Sequence, residues 1–321
     1  MTVCIASIYN SNSILGVSDR MITAGDIKFE PPQTKIISVT NSIIIMTAGD
    51  SNIQTQIYER VSHIVGERIK LHPEKWIPVI DVAYLYRDCY LELKREATEK
   101  SVLSPYGLTM DSFISKQKEL SDDFVENISL RINNFSIATA ESIITGIDDD
   151  GAHIYVVING GMGCYDRIGF ASVGIGSNHA LSHLMLSGHT PMTSEPKALL
   201  TIHQAKKKSE VSPGIGEQTD MFVLGPGLGT FNMLIPIPGL NIVKDLDEVY
   251  KKYVKELHKI DRKTEEKIVD YLAKLSSKNT PQQEMNPTML SSSSSASPHE
   301  EESLAVSKET RKKKKAKKDT K

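Results

Sequence analysis

The chain has 321 residues, 39% hydrophobic and 24% charged, with a formal net charge of −2 at pH 7. Most of it can fold as an ordinary globular protein, and no run approaches the ~20 apolar residues that a membrane helix needs. The three cysteines, Cys4, Cys89 and Cys164, are odd in number and lack metal or redox spacing, so a disulfide framework is excluded and each is expected to be a small buried hydrophobe in a reducing compartment. The charge is uneven. The last sixteen residues carry nine basic and two acidic side chains, so residues 1–305 are acidic.

Strands come first. Val3–Tyr9 alternates apolar with small or polar residues, Asn10–Ser13 is turn chemistry, and Ile14–Ser18 resumes a strand. Ile36–Val39 and Ser42–Thr47 form another pair. After Gly49 the period changes: Ile53, Ile57, Val61, Val65 and then Val79, Val82, Tyr86, Leu93 predict two amphipathic helices. Residues 101–133 read as a polar insert with one short helix over Ser121–Ile132. Strands return over Ser136–Ile147, His153–Ile158 and Ile168–Val173. Two helices are expected over Asn178–Leu186 and Ser194–Lys208, then strands over Met221–Leu224 and Met233–Ile237.

This order fits two packed sheets covered by helices, an α+β class. The main domain is expected over 1–245, with 101–133 inserted. An apolar stripe from Leu246 to Leu275, with a polar break, predicts a helical extension over 246–277, most simply a hairpin packed on the domain. Residues 278–321, with a serine run and a closing RKKKKAKKDTK, are too polar to bury a core and are expected to be disordered.

The chemistry gathers near the start. Thr2 heads a strand, and its small size suits routine removal of Met1. The chain would then begin with an α-amino group of pKa about 7.7–8.0 beside a hydroxyl. Such an amine can take the hydroxyl proton, through a water, and make the same residue its own nucleophile. Asp19, in GVSDR, ends the second strand, and Lys35, in TKIISV, starts the third. A lysine beside the amine would favour its free-base form, and a carboxylate would hold that lysine. Taken singly, each also reads as a solvated surface charge. Gly49, in TAGD, lies between strand and helix, where its N–H could serve an oxyanion at about 3–4 kcal/mol for an aimed donor. It reads equally as a turn with Asp50 or Ser51 as helix N-cap.

In order and spacing these segments resemble the proteasome β-subunit pattern. ASVGIGSNHALSHLML, residues 171–186, is similar to that family's glycine-rich turn, and SPGIGEQTDMFVL, residues 212–224, to its turn into the closing strand. The resemblance covers roughly residues 2–240. It implies a four-layer αββα fold of the N-terminal nucleophile (Ntn) hydrolase type, with Thr2 as nucleophile, Asp19 and Lys35 as its tuning pair and Gly49 as oxyanion donor. It also implies self-assembly into a ring with the sites facing an inner chamber, where peptides or unfolded proteins are cut. Ile175 stands where the family has a serine. Ser177, Glu210 and Ser212 are the nearest candidates for the auxiliary groups that orient the amine. The departures leave open an alternative, a catalytically silent subunit serving assembly.

No cofactor or metal motif is seen: His179 and His183 lack a further ligand, and GPGLG at 225–229 lacks the lysine and spacing of a nucleotide loop. ATP, if used, would belong to a separate unfoldase partner, and other proteasome-like subunits are a further partner class. The lysine-rich end lacks interleaved aromatics, so a solvated tail is expected rather than a nucleic-acid arm. The opening MTVCIASIYN has no basic region followed by a long apolar run, so a cytoplasmic protein without membrane contact is expected.

Overall fold

The computed structural model describes residues 2–24, 27–31, 35–234 and 240–278. The expectations that concern Met1, residues 235–237 and the tail from 279 onward lie outside them. The chain divides into two units, Met1–Lys259 and Ile260–Lys321.

The first unit opens on a hairpin. β1 (Cys4–Tyr9) pairs antiparallel with β2 (Ser13–Asp19), Cys4 opposite Ser18 and Tyr9 opposite Ser13. Asn10 and Ser11 turn the chain at φ +46° and +67°, a left-handed pair of the kind tight hairpins need. Every residue of both strands is buried. The alternation in the sequence is therefore between two apolar surroundings rather than between core and water: Cys4, Ala6 and Ile8 enter one cluster, Val3, Ile5 and Tyr9 another.

β3 (Ile22–Ala24) and β4 (Ile27–Phe29) make a small separate hairpin. β5 (Ile36–Thr40), β6 (Ile43–Gly49), β7 (Ala140–Asp148), β8 (Gly151–Ile158) and β9 (Gly161–Cys164) form an antiparallel sheet in chain order. β10 (Phe170–Val173), β11 (Thr219–Leu224) and β12 (Asn232–Met233) join the first hairpin in a second antiparallel sheet, ordered β10-β1-β2-β11-β12. One core cluster draws on both sheets, with Cys4, Ile8 and Phe222 from one and Ile44, Ile143 and Val156 from the other.

Two helix pairs close the remaining faces. α1 (Ser51–Leu71) and α2 (Val79–Thr98) bury Ile57, Val61, Val82 and Tyr86 with Ile43, Ile45 and Ile144. α5 (Ser177–Leu186) and α6 (Glu195–Ser209) bury Ala180, Leu184, Ile202 and Ala205 with Val3, Ile5 and Leu15. Between the pairs lie a π turn over Glu99–Leu103, a 3₁₀ turn over Ser104–Tyr106, α3 (Met110–Ser115) and α4 (Asp122–Asn134). They share a small core of Val102, Leu103, Phe113 and Ile128. The insert is thus more helical than its polarity suggests.

The single most visible correction is α7 (Ile242–Lys278), one uninterrupted helix where a hairpin was expected. The polar break is rich in Lys, Arg and Glu, good helix formers, with no Gly or Pro to end the helix. In the first unit Ile242, Val243 and Leu246 pack on the α5/α6 cluster. In the second, Ile260, Ile268, Tyr271 and Leu272 are exposed. Three further corrections are local. β7 begins at Ala140 rather than Ser136, β9 was not anticipated because GMGC has no strand-forming residues, and Cys164 is exposed while Cys4 and Cys89 are buried. Among the described residues no helix is long and apolar enough to cross a membrane.

Candidate active site

Four elements end at one place. Thr2 leads into β1, Asp19 is the last residue of β2, Lys35 immediately precedes β5, and Gly49 ends β6. Thr2, Lys35 and Gly49 line the same cleft of about 780 Å³, together with Met21, Thr47 and Glu59.

Asp19 is the anchor. It has no exposure, and its two oxygens accept four hydrogen bonds. Oδ1 takes the Val3 N–H at 2.9 Å and Lys35 Nζ at 2.8 Å; Oδ2 takes the N–H groups of Met21 at 3.0 Å and Gly216 at 3.2 Å. A buried carboxylate needs this degree of satisfaction. Its own N–H donates to the Val3 carbonyl at 3.2 Å, so the aspartate grips the residue after Thr2 from both sides. Lys35 is completed by the Met21 carbonyl at 2.7 Å and keeps 12% of its side chain exposed. Arg20, one residue on, donates to Asp220 and Gln218 and ties the end of β2 to β11.

Thr2 is nearly buried. Its carbonyl accepts the Gly176 N–H at 3.4 Å. Gly174, at φ +90°, passes so close that a Cβ there would lie 2.2 Å from the Thr2 oxygen, so only glycine allows this approach. The Gly174 N–H is in turn held by Glu141 at 2.8 Å. The glycine-rich turn thereby wraps the head of β1.

Gly49 sits at φ +103°, where a Cβ would lie 2.3 Å from the Thr139 carbonyl. The Thr47 N–H donates to the Lys35 carbonyl on the β5 side. By two-residue alternation the Gly49 N–H points to that same edge, the edge of the cleft. Asp50 follows as N-cap of α1, accepting from Asn52 and Ile53 at 3.0 Å each. The turn reading and the donor reading of this segment are therefore compatible.

Cys4 is close enough to be considered as an alternative nucleophile. Burial pushes its thiol up to about 12 despite the lowering pull of Lys35, and Sγ is directed at the Thr47 carbonyl. A thiol held protonated is a poor nucleophile.

None of the auxiliary candidates, Ser177, Glu210 and Ser212, lines the cleft. Ser177 is the first residue of α5, half-buried, its N–H on the Gly174 carbonyl. Ser212 is buried in the turn after α6, with its carbonyl accepting from Ile215. Glu210 faces Lys206 and Lys207 instead of Thr2. Ser209, fully buried at the end of α6, has the Ala205 carbonyl at 2.9 Å and the Gly176 carbonyl at 3.1 Å as acceptors for its one hydroxyl proton. Ile175 is 54% exposed. Among the described residues no group of three or more His, Cys, Asp or Glu is placed to hold a metal ion.

Gly216, Glu141, Ser209 and Lys206 were not anticipated from sequence. For Lys206 and Ser209 the available signal was the phase of α6. Ala198, Ile202, Ala205, Lys206 and Ser209 lie on one helical face, and all five are buried. No family model matches the chain, and no curated protein matches it in sequence.

Proposed function

We propose that this chain is a proteasome-type Ntn hydrolase, a threonine peptidase that cuts peptide bonds with Thr2 once Met1 is removed. The observation that carries the reading is the buried Asp19–Lys35 pair beside Thr2, on one cleft with Gly49. The two antiparallel sheets and their helix pairs support the finer fold reading, a four-layer αββα sandwich.

The chemistry follows from the residues. The Thr2 amine takes the Oγ1 proton through a water, and Oγ1 attacks the substrate carbonyl. The Lys35 ammonium, its charge balanced by Asp19, disfavours protonation of the amine and keeps it a base near neutral pH. The carbonyl oxygen becomes an oxyanion, which the Gly49 N–H meets. Collapse breaks the C–N bond, and the leaving amine takes the proton from the α-ammonium. Water, deprotonated by the restored amine, then hydrolyses the ester and frees Thr2. The substrate class is a peptide or unfolded protein. The working form is a homo-oligomeric ring, fed by an ATP-dependent unfoldase or accompanied by related subunits.

The test is hydrolysis of fluorogenic peptides by the purified mature protein. Turnover that disappears in Thr2→Ala and in Lys35→Met supports the reading; turnover that survives Thr2→Ala removes it. The second reading, a silent assembly subunit, is favoured by exposed Ile175 and by the engagement of Glu210 with Lys206. Ring formation without turnover of any peptide would select it.

A further inference from the structure

The KKKSE sequence at the end of α6 looks like a solvated basic run, yet Lys206 has no exposure at all. Its ammonium meets three acceptors: the Glu210 carboxylate, the Gly216 carbonyl at 2.8 Å and the Glu217 carbonyl at 2.8 Å. An ammonium has three protons, and all three are used. Glu210 remains 22% exposed, so the pair is closed toward the protein and open toward water.

The backbone held by Lys206 is the one that reaches the candidate site. Gly216, whose carbonyl sits on Lys206, donates its N–H to Asp19 Oδ2 at 3.2 Å. The contacts continue outward in an unbroken series. Glu210 also pairs with Lys207 at 3.1 Å, and Lys207 pairs with Asp247 of α7 at 2.9 Å. His203 meets the same Asp247 oxygen at 2.9 Å. Nothing in this series touches the cleft: Lys206, Glu210 and Gly216 are all absent from its lining.

We infer that Lys206 is a positioning residue for the acylation site. With its charge neutralised by Glu210, it clamps the 216–217 backbone so that the Gly216 N–H stays on Asp19. Asp19 in turn keeps Lys35 and the Val3 amide in register with Thr2. The inference rests on the proposed role of Thr2 for its catalytic consequence, but not for the clamp itself.

The test uses the full-length protein as wild type, Lys206→Arg and the double variant Lys206→Met/Glu210→Gln. The double change removes both charges together, because removing one member of a buried pair alone is far more disruptive. Two readouts are taken. Hydrogen–deuterium exchange is followed over residues 212–219, with the β6/β7 hairpin as an internal control. The rate of Thr2 acylation by a threonine-directed electrophile is followed against pH.

Faster exchange is expected at 212–219 in the double variant, with the control hairpin unchanged. Acylation is expected to fall roughly 10–100-fold, the cost of a small misplacement of reacting groups. The acid limb of its pH profile should shift, because the Lys35 ammonium that biases the Thr2 amine is displaced along with Asp19. A role confined to stability would lower the active fraction without moving the limb. Lys206→Arg, which keeps the charge and the donors, should recover part of both. Unchanged exchange at 212–219 in the double variant would overturn the inference. So would increased exchange with an unmoved limb and an unchanged rate. A wild type that is never acylated overturns the role in acylation and the Thr2 reading together, while the exchange result still decides on the clamp.

Discussion

Two lysine–carboxylate pairs flank the head of β1, and they are built in opposite senses. In Lys35–Asp19 the carboxylate is sealed and the lysine keeps 12% exposure at the cleft. In Lys206–Glu210 the lysine is sealed and the carboxylate keeps 22% exposure. The buried member decides what each pair can do. A buried Asp19 gathers backbone N–H groups and presents a cation to the cleft, where it can bias the Thr2 amine. A buried Lys206 gathers backbone carbonyls and presents nothing to substrate. The first pair is suited to supply charge, the second to hold a loop. Substitutions in either should therefore separate activity from stability.

The largest effects are expected at the cleft. Thr2→Ala should abolish peptide turnover. Lys35→Met and Asp19→Asn should each lower kcat/KM about 10²–10⁴-fold, the usual contribution of positioned proton-transfer groups. Steady-state kinetics on folded protein checks this. A Lys35→Met variant with near-native kcat/KM would erase the distinction between the two pairs.

On the other side, Lys206→Met alone should cost stability. It leaves Glu210 without its main partner and two carbonyls without donors. The expected loss is about 3 kcal/mol, the low end for a broken buried pair because Glu210 retains some water. Urea unfolding measures it, and the addition of Glu210→Gln should restore a large part.

Gly49→Ala comes next. The backbone is at φ +103° and the new methyl would meet the Thr139 carbonyl at 2.3 Å. A cost of about 1–3 kcal/mol is expected by denaturant unfolding. An accompanying drop in kcat would point to displacement of the N–H from the cleft edge.

A third charged cluster gives a pH signature remote from both pairs. His153 lies between Asp166 at 2.8 Å and Asp148 at 3.0 Å, and Asp148 also holds the N–H of Val79 at the start of α2. The hydrogen bond to Asp166, helped by the charge of Asp148, raises the His153 pKa above its ordinary value. Stability from a raised histidine is fully present below the unfolded pKa of about 6.5 and is lost as pH rises through the folded value. The urea midpoint should therefore fall as pH rises through that window, and His153→Gln should flatten the fall. The smallest effect is expected at the exposed pair of Arg60 with Glu96, where Arg60→Ala should cost about 0.2–1 kcal/mol in the same assay.

The two pairs also differ in how far the sequence exposes them. Thr2, Asp19, Lys35 and Gly49 fall within the first fifty residues and are joined by neighbouring strands, so turn chemistry and alternation bring them together. Lys206 and Gly216 lie almost two hundred residues from Asp19, and their contact exists only because β11 pairs with β2. Lys206 has the look of a surface lysine between Lys207 and Lys208; only the phase of α6 distinguishes it. Glu210 was read as a partner of the Thr2 amine because spacing from a helix end cannot say which way a carboxylate faces. The helix pairs were legible from period alone. α7 runs on through its polar interval because no residue in that interval stops a helix, so polarity alone does not mark a break.

Intact mass of the purified protein, before and after treatment with an epoxyketone, tests the central claim most directly. The account predicts loss of Met1, one covalent adduct per chain, and no adduct in Thr2→Ala. Retained Met1, or a free Thr2 that takes no adduct, would contradict it.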